Sequence, residues 1–269
     1  MTRHTVAIIV PICRSMLEGH EAIAYRRIRD LYGHLPIVLV APAGVEVTGF
    51  LAEDPALRVE RFAFQTVRDY SQLLLQREFY ERFTHYEFIL IHQLDAYLLK
   101  DELHAWCAQD YDYLGAPFFR DFEPLQPAGR LWRVGNGGFS LRKVAAALAV
   151  LDSTRRWRTP AQYWAERPRS ARLRGLARRA LASGAKVTPF HNDVRWAALH
   201  NFHEDVFWSV EAPHFWPEFR LPGVEAGLRF AFDYAPAHCY ELNGRELPFG
   251  CHAWPRYDLA FWRRFIPEA

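Results

Sequence analysis

The sequence has little to build a covalent or metal framework from. Its 269 residues hold four cysteines, Cys13, Cys107, Cys239 and Cys251, with no CxxC pair and no zinc-type spacing. They read as reduced thiols of a cytosolic protein, which excludes a disulfide scaffold and a structural zinc site. Long apolar runs are missing too. The first, Val6–Val10, is ended by Pro11 too early for a signal peptide, and no later run reaches a transmembrane length. A soluble, cytoplasmic chain is expected, with surface attachment to a membrane left open. The formal charge of +2 does not describe a nucleic-acid binder, and no nucleic-acid partner is expected. GxGxxG, GK[ST] and HExxH are all absent, which removes the simplest dinucleotide, phosphate-loop and metalloprotease readings. With no repeat, low-complexity tract or linker, residues 1–269 are expected to form one domain.

What is present is apolar and aromatic. Half of the residues are hydrophobic, and 9 Trp, 12 Tyr and 20 Phe supply a sizeable core. Val6–Val10, Pro36–Pro42 and Val59–Phe64 read as strands, with a helix over 18–31 between the first two. Strand, helix and strand at this spacing imply a right-handed parallel crossover and an α/β sheet. Ser71–Phe83 reads as a helix with Ser71 as N-cap, through the helical spacing of Leu74, Leu75, Phe79 and Phe83. A short helix is expected over Asp101–Cys107, a strand and turn over Tyr111–Phe118, a loop over 119–133 and an Ala-rich helix over Lys143–Leu151. Ala231–Tyr234 and Cys239–Leu242 read as short strands, and Asn243-Gly244 as a turn before Leu247–Phe249.

The central stretch is Tyr86–Tyr97. Phe88–Ile91 is an uninterrupted apolar run that stops at His92, Gln93 and Asp95. Open α/β sheets place ligand groups at the carboxyl ends of such strands, so Asp95 is either a functional carboxylate or a turn cap. Gly135-Asn136-Gly137-Gly138 is either a tight turn or a loop that brings backbone close to a ligand. Residues 152–186 carry ten Arg and Lys against Asp152 and Glu166, with Leu173, Leu176, Ala177, Ala180 and Leu181 on one helical face. That segment is either a solvated surface helix or a basic face for an anionic membrane or acidic partner. His191-Asn192-Asp193, His200 and His203-Glu204-Asp205 crowd ligand-type residues into fifteen positions. Glu204 and Asp205 open an apolar helix, where they either compensate its dipole or supply a general base. His252, in a Gly-flanked aromatic setting, is a structural histidine or a ligand.

Taken in order, these stretches resemble the GT-A class of nucleotide-sugar glycosyltransferases, and more specifically the DUF5672 family. The residues that carry the resemblance are Tyr86–Tyr97 with Gln93-Leu94-Asp95-Ala96, Tyr113–Pro117, and Gly135–Arg142. Glu204–Phe207, Leu242–Gly244 and Pro248–Trp254 complete it, so that it runs from about residue 6 to 258. It implies a GT-A-like, three-layer α/β/α fold with a mostly parallel central sheet. It also implies a hexosyltransferase-like enzyme that moves a sugar from a nucleoside-diphosphate sugar, with a UDP-sugar favoured, to a glycan or lipid-linked acceptor in polysaccharide or glycoconjugate synthesis. Asp95 stands in the place of the last acid of the family's DxD motif and, with His252, would hold Mn or Mg. Gln93 stands where DxD has its first acid, which puts metal dependence in doubt. Asp205 matches the base of the xED motif of inverting enzymes, and Glu204 would orient the acceptor or cap the helix. Pro11 and Arg14 would meet the nucleotide, and Gln93, Gly135, Asn136, Gly137 and Gly138 would line the donor.

Two rivals remain at this stage. One is a metal-dependent hydrolase built on Asp193, His200, His203 and Asp205. The other is a non-catalytic sugar-binding relative of the fold, for which Gln93 is the best support.

Overall fold

The computed structural model describes residues 5–17, 19–54, 57–120, 129–156, 193–200 and 203–267. Its strands, in chain order, are Val6–Pro11 (β1), Ile37–Pro42 (β2), Arg58–Phe62 (β3), Phe88–His92 (β4), Tyr97–Leu98 (β5) and Tyr113–Gly115 (β6). Pro117–Phe119 (β7), Leu131–Val134 (β8), Phe139–Lys143 (β9), Ala231–Phe232 (β10) and Gly250–Cys251 (β11) follow. The main sheet has the order β3-β2-β1-β4-β9-β6. Its first four strands are parallel, and only β9 runs against its neighbours.

Both faces of this sheet are covered, which is why its strands are continuous apolar runs without alternation. On one face Ile8, Val10, Leu39 and Leu90 pack with helices His20–Tyr32 (α1), Thr48–Glu53 (α2) and, later in the chain, Leu103–Cys107. On the other, Ala7, Ile9, Val38 and Ile91 meet Val67–Leu73 (α3) and Arg77–Glu81 (α4). Leu103–Cys107 is α5, and Val144–Leu151 (α6) joins the second face. Each fully buried Ile or Leu of this kind contributes roughly 1.5–3 kcal/mol. The result is the three-layer α/β/α arrangement with a mostly parallel sheet that the resemblance implies.

Three local expectations are corrected. Ser71 does not cap a helix over 71–83; that stretch is divided between α3 and α4, and Thr66 and Asp69 form a reciprocal capping box at the start of α3. Cys239–Leu242 is the end of a helix, Pro236–Leu242, and not a strand. Asn243 and Gly244, the latter at φ +68°, terminate that helix and do not turn a hairpin. The basic stretch 152–186 lies outside the described residues beyond position 156, as do His191 and Asn192. Among the described residues, no helix is long and apolar enough to cross a membrane.

Candidate functional site

Three chain segments reach one edge of the main sheet. β1 and β4 end there, at Pro11 and His92, because they run parallel. β9 starts there, because it runs the other way and pairs His92 with Phe139. The Gly-rich stretch therefore lands beside the carboxyl end of β4, and Gln93 N–H donates to Gly138 O at 2.8 Å. The chain turns at Gln93–Ala96 and enters β5, which pairs antiparallel with β11 and sets Cys251 opposite Tyr97. That pairing carries His252 to Asp95. β10 lies parallel to β11 and carries Asp233 to the other side of the same ring.

His252 is the meeting point. Its Nε2 lies 3.3 Å from Asp95 Oδ1 and 3.1 Å from Gln93 Oε1. Its Nδ1 lies 3.0 Å from Asp233 Oδ1 and 3.0 Å from Asn136 Nδ2. Burial works against a charge on this ring, but hydrogen bonds to Asp233 and Asp95, and their charges, prevail and raise its pKa to about 10. Asp95 is correspondingly lowered: burial would raise it, and the bond to His252 outweighs that.

The Gly-rich stretch is a close-approach loop. A Cβ on Gly138 would overlap His252 Nε2 and Gln93 Oε1, and one on Gly137 would overlap Glu204 Oε1. Asn136 Oδ1 accepts from the N–H of Gly138 (3.1 Å) and Phe139 (3.2 Å), which folds the loop on itself. Gly135 N–H donates to Ala116 O at 2.9 Å, and Tyr113 OH donates to Gly135 O.

Behind this loop stands the acidic pair, on a short helix, Glu204–Val206, that continues into a π-helical turn, Phe207–Glu211. Turns of this kind recur at functional sites. Buried Phe207 and Trp208 anchor it in the core. Glu204 N–H donates to Ser71 Oγ at 3.0 Å, and its Oε1 accepts from Arg142 Nη2 at 2.9 Å. Burial pushes the Glu204 carboxyl up in pKa against the pull of the Arg142 charge, and the neighbouring Asp205 charge adds to the rise. Asp205 accepts from Val206 N–H at 2.8 Å, and burial raises its pKa as well.

A cavity of about 390 Å³ opens beside Gln93 and Asp95 and runs past Pro11, Arg14, Phe64 and Tyr70. Arg14 is 56% exposed at its rim and pairs with Glu21 at 3.2 Å. All the residues singled out for the donor side thus gather at one sheet edge. Of the rival hydrolase set, the described members Asp193, His203 and Asp205 form no metal-holding group. Asp193 Oδ1 accepts from Trp196 N–H at 2.8 Å as a helix cap, His203 is exposed, and the side chain of His200 lies outside the described residues.

Among the described residues, no three His, Cys, Asp or Glu side chains form a metal-holding group. The donor set of Asp95, His252 and Gln93 nevertheless suits a hard divalent cation. Nε2 faces two oxygens, and a carboxylate holds Nδ1, as ligating imidazoles are usually held. Such a set is incomplete without oxygens from a bound ligand.

Residues 56–252 match the family described as "Protein of unknown function (DUF5672)". The match covers more than half of the chain. The protein belongs to the DUF5672 family. Every candidate residue except Pro11 and Arg14 falls inside the matched part. No curated protein matches the sequence of this DUF5672 member. Several solved structures overlap part of it. A 4-diphosphocytidyl-2C-methyl-D-erythritol synthase from Anaerococcus prevotii does so with a TM-score of 0.38 at 11% identity, over 62% of this chain and 78% of its own. S. aureus TarS 1–349 gives a TM-score of 0.34 at 13% identity, over 53% of this chain and 48% of its own. A mannosyltransferase from Pyrobaculum calidifontis, in complex with GDP-Man and Mn2+, gives 0.33 at 15% identity, over 54% and 46%. The DUF5672 chain spans about half the length of the last two. At these scores the overlaps carry nothing about chemistry.

Two residues of the site went unread in the sequence. Asp233 follows the strand-like Ala231–Phe232 just as Asp95 follows Phe88–Ile91, so the strand-end signal that marked one carboxylate also marks the other. Arg142 offered no such signal, since a charge inside a strand pattern reads as solvent-facing.

Proposed function

We propose that this DUF5672 protein is a glycosyltransferase that moves a sugar from a nucleoside-diphosphate sugar, with UDP-sugars favoured, to a glycan or lipid-linked acceptor with inversion. The observation that carries this reading is the convergence of Asp95, Gln93 and Gly138 on His252, beside a cavity that Gln93 and Asp95 line, at the carboxyl ends of parallel strands. Asp95 and His252, with Gln93 beside them, would hold Mn or Mg. When bound, the cation supplies Lewis-acid stabilisation of the diphosphate leaving group. Arg14, exposed at the rim, can leave Glu21 for a phosphate. Gly135–Gly138 lines the donor with backbone and with Asn136.

Asp205 acts as the base. Its carboxylate takes the proton of the acceptor hydroxyl while that oxygen attacks the anomeric carbon. Burial raises its proton affinity, as the task requires. Glu204 orients this end of the site from its buried seat. The segment 152–186 is the part of the chain proposed for contact with an anionic membrane, which would suit a lipid-linked acceptor. Chain 1–269 is proposed to act as a single GT-A-like domain.

Calorimetric titration with UDP, GDP and a panel of nucleotide sugars, with and without Mn, tests this reading. Binding of at least one, lost in Asp95→Ala and retained in His203→Ala, is expected. No binding to any of them, or the reverse pattern in the two variants, overturns it. Binding without transfer to any acceptor would favour the sugar-binding alternative, for which Gln93 in place of an acid is the supporting observation.

A further inference from the structure

The most deeply buried charge of the site belongs to a residue that the proposed chemistry leaves idle. Arg142 lies on β9 at 1% exposure. Its Nη2 donates to Glu204 Oε1 (2.9 Å) and Gly137 O (3.3 Å), its Nε to Ser140 Oγ (3.0 Å) and its Nη1 to Tyr80 OH (3.0 Å). The Tyr113 ring lies against the guanidinium, 5.2 Å from its carbon. Ser140 and Tyr80 pass the bonding on, to Gly137 O at 2.9 Å and Leu74 O at 3.0 Å.

A buried ion pair of this kind is weak evidence for stability, because apolar side chains of the same volume often serve a core as well. What an apolar side chain cannot do is fix two separate backbone segments in one geometry. The Gly137 carbonyl is held twice, since it accepts from both Arg142 and Ser140. Glu204, one residue before Asp205, is held by the same guanidinium. Its second oxygen, Oε2, is buried with no partner among the described residues, so the hold on this carboxylate comes through Oε1. The planar fork of Arg suits such a multiple contact, whereas Lys offers a single ammonium on a flexible stem.

We propose that Arg142 is the positioning residue of the site: it fixes the Gly137 peptide and Glu204 to one another, and thereby sets the place of the Asp205 carboxylate beside the donor loop. The proposal rests on the reading of Asp205 as the base, and its test separates the two.

Hydrogen–deuterium exchange is followed on the full chain, together with kcat and KM for a nucleotide sugar and the affinity for UDP. Arg142→Lys is expected to raise exchange together in 135–142 and 203–211 while β1 and β2 keep their protection. UDP affinity stays close to that of the parent protein, and kcat falls about 100-fold, the loss typical of a catalytic group displaced by about an ångström. Arg142→Met gives the same pattern more strongly. If Met does not fold, Arg142→Lys and the milder Tyr80→Phe, with a smaller joint rise, decide the matter. Loosening of one segment alone, of neither, or uniformly across the sheet overturns the proposal. A parent protein that turns over no nucleotide sugar defeats the assignment of Asp205, and the exchange pattern still decides the role of Arg142.

Discussion

The candidate site has two walls that treat charge differently. On the His252 wall, charged groups keep some contact with solvent: the side chains of Asp95, Asp233 and His252 are 39%, 20% and 14% exposed. On the Arg142 wall the pair is sealed, at 1% for Arg142 and 8% for Glu204. A partner on the first wall can be exchanged for an incoming ligand atom, because the rearrangement needs no repacking. A partner on the second cannot be exchanged without leaving a buried ion alone. The Gly-rich loop joins the walls, Gly138 against His252 and Gly137 against Glu204. One wall is therefore suited to recognition and the other to holding geometry.

The comparison can be broken by experiment. The largest expected effect is on turnover. Asp205→Asn should lower transfer about 10³-fold, within the range for a general base, with UDP affinity unchanged. Asp95→Ala should instead abolish Mn-dependent UDP binding, and equal losses of binding in both variants would erase the distinction between the walls. Next comes stability, read by urea unfolding. Arg142→Met should cost about 3–5 kcal/mol, as expected for an uncompensated buried charge, and Arg142→Met combined with Glu204→Leu should recover much of it. Gly138→Ala should cost about 1–3 kcal/mol through the overlap with His252 and Gln93, with Gly137→Ala at the upper end because its neighbour is the sealed carboxylate.

The smallest effect is on pH dependence, measured in the presence of a chelator. The pKa of His252 is raised from an ordinary 6.5 to about 10, so its ion pairs stabilise fully below pH 6.5 and are lost as pH rises through about 10. The melting temperature of the parent protein should therefore fall more steeply between pH 8 and pH 10 than that of His252→Gln. Equal slopes in the two proteins would mean that the ring is not charged in the fold.

The parallel half of the sheet was legible because strands buried on both faces leave uninterrupted apolar runs such as Val6–Val10 and Phe88–Ile91. Asp95 and His252 were legible through motif order and through the polar stop after a strand. The orientation of β9 was not, because apolar content says nothing of direction. Ser71 has the chemistry of a cap, yet it lies inside α3 and serves Glu204, more than a hundred residues away, while Thr66 and Asp69 cap the helix. Cys239–Leu242 has strand-like content, but Pro236 at the first turn starts a helix there. Asp233 and Arg142 became functional candidates only when strand pairing brought them to His252 and Glu204.

The position of Arg142 within β9 has a consequence for how the chain keeps count of its residues. Side chains along β9 alternate, with Phe139 and Leu141 in one apolar cluster and Ser140 and Arg142 facing Tyr80, Tyr113 and Glu204 on the other side. Sliding β9 by one residue against β4 would drive the guanidinium among Leu90 and Leu114 and offer Leu141 or Lys143 to the buried carboxylate. The strand is thus locked in register by a single ion. A residue added to or removed from Gly135–Gly138 cannot be absorbed by slippage and must distort the loop itself, so the length of that loop is as strictly specified as its composition.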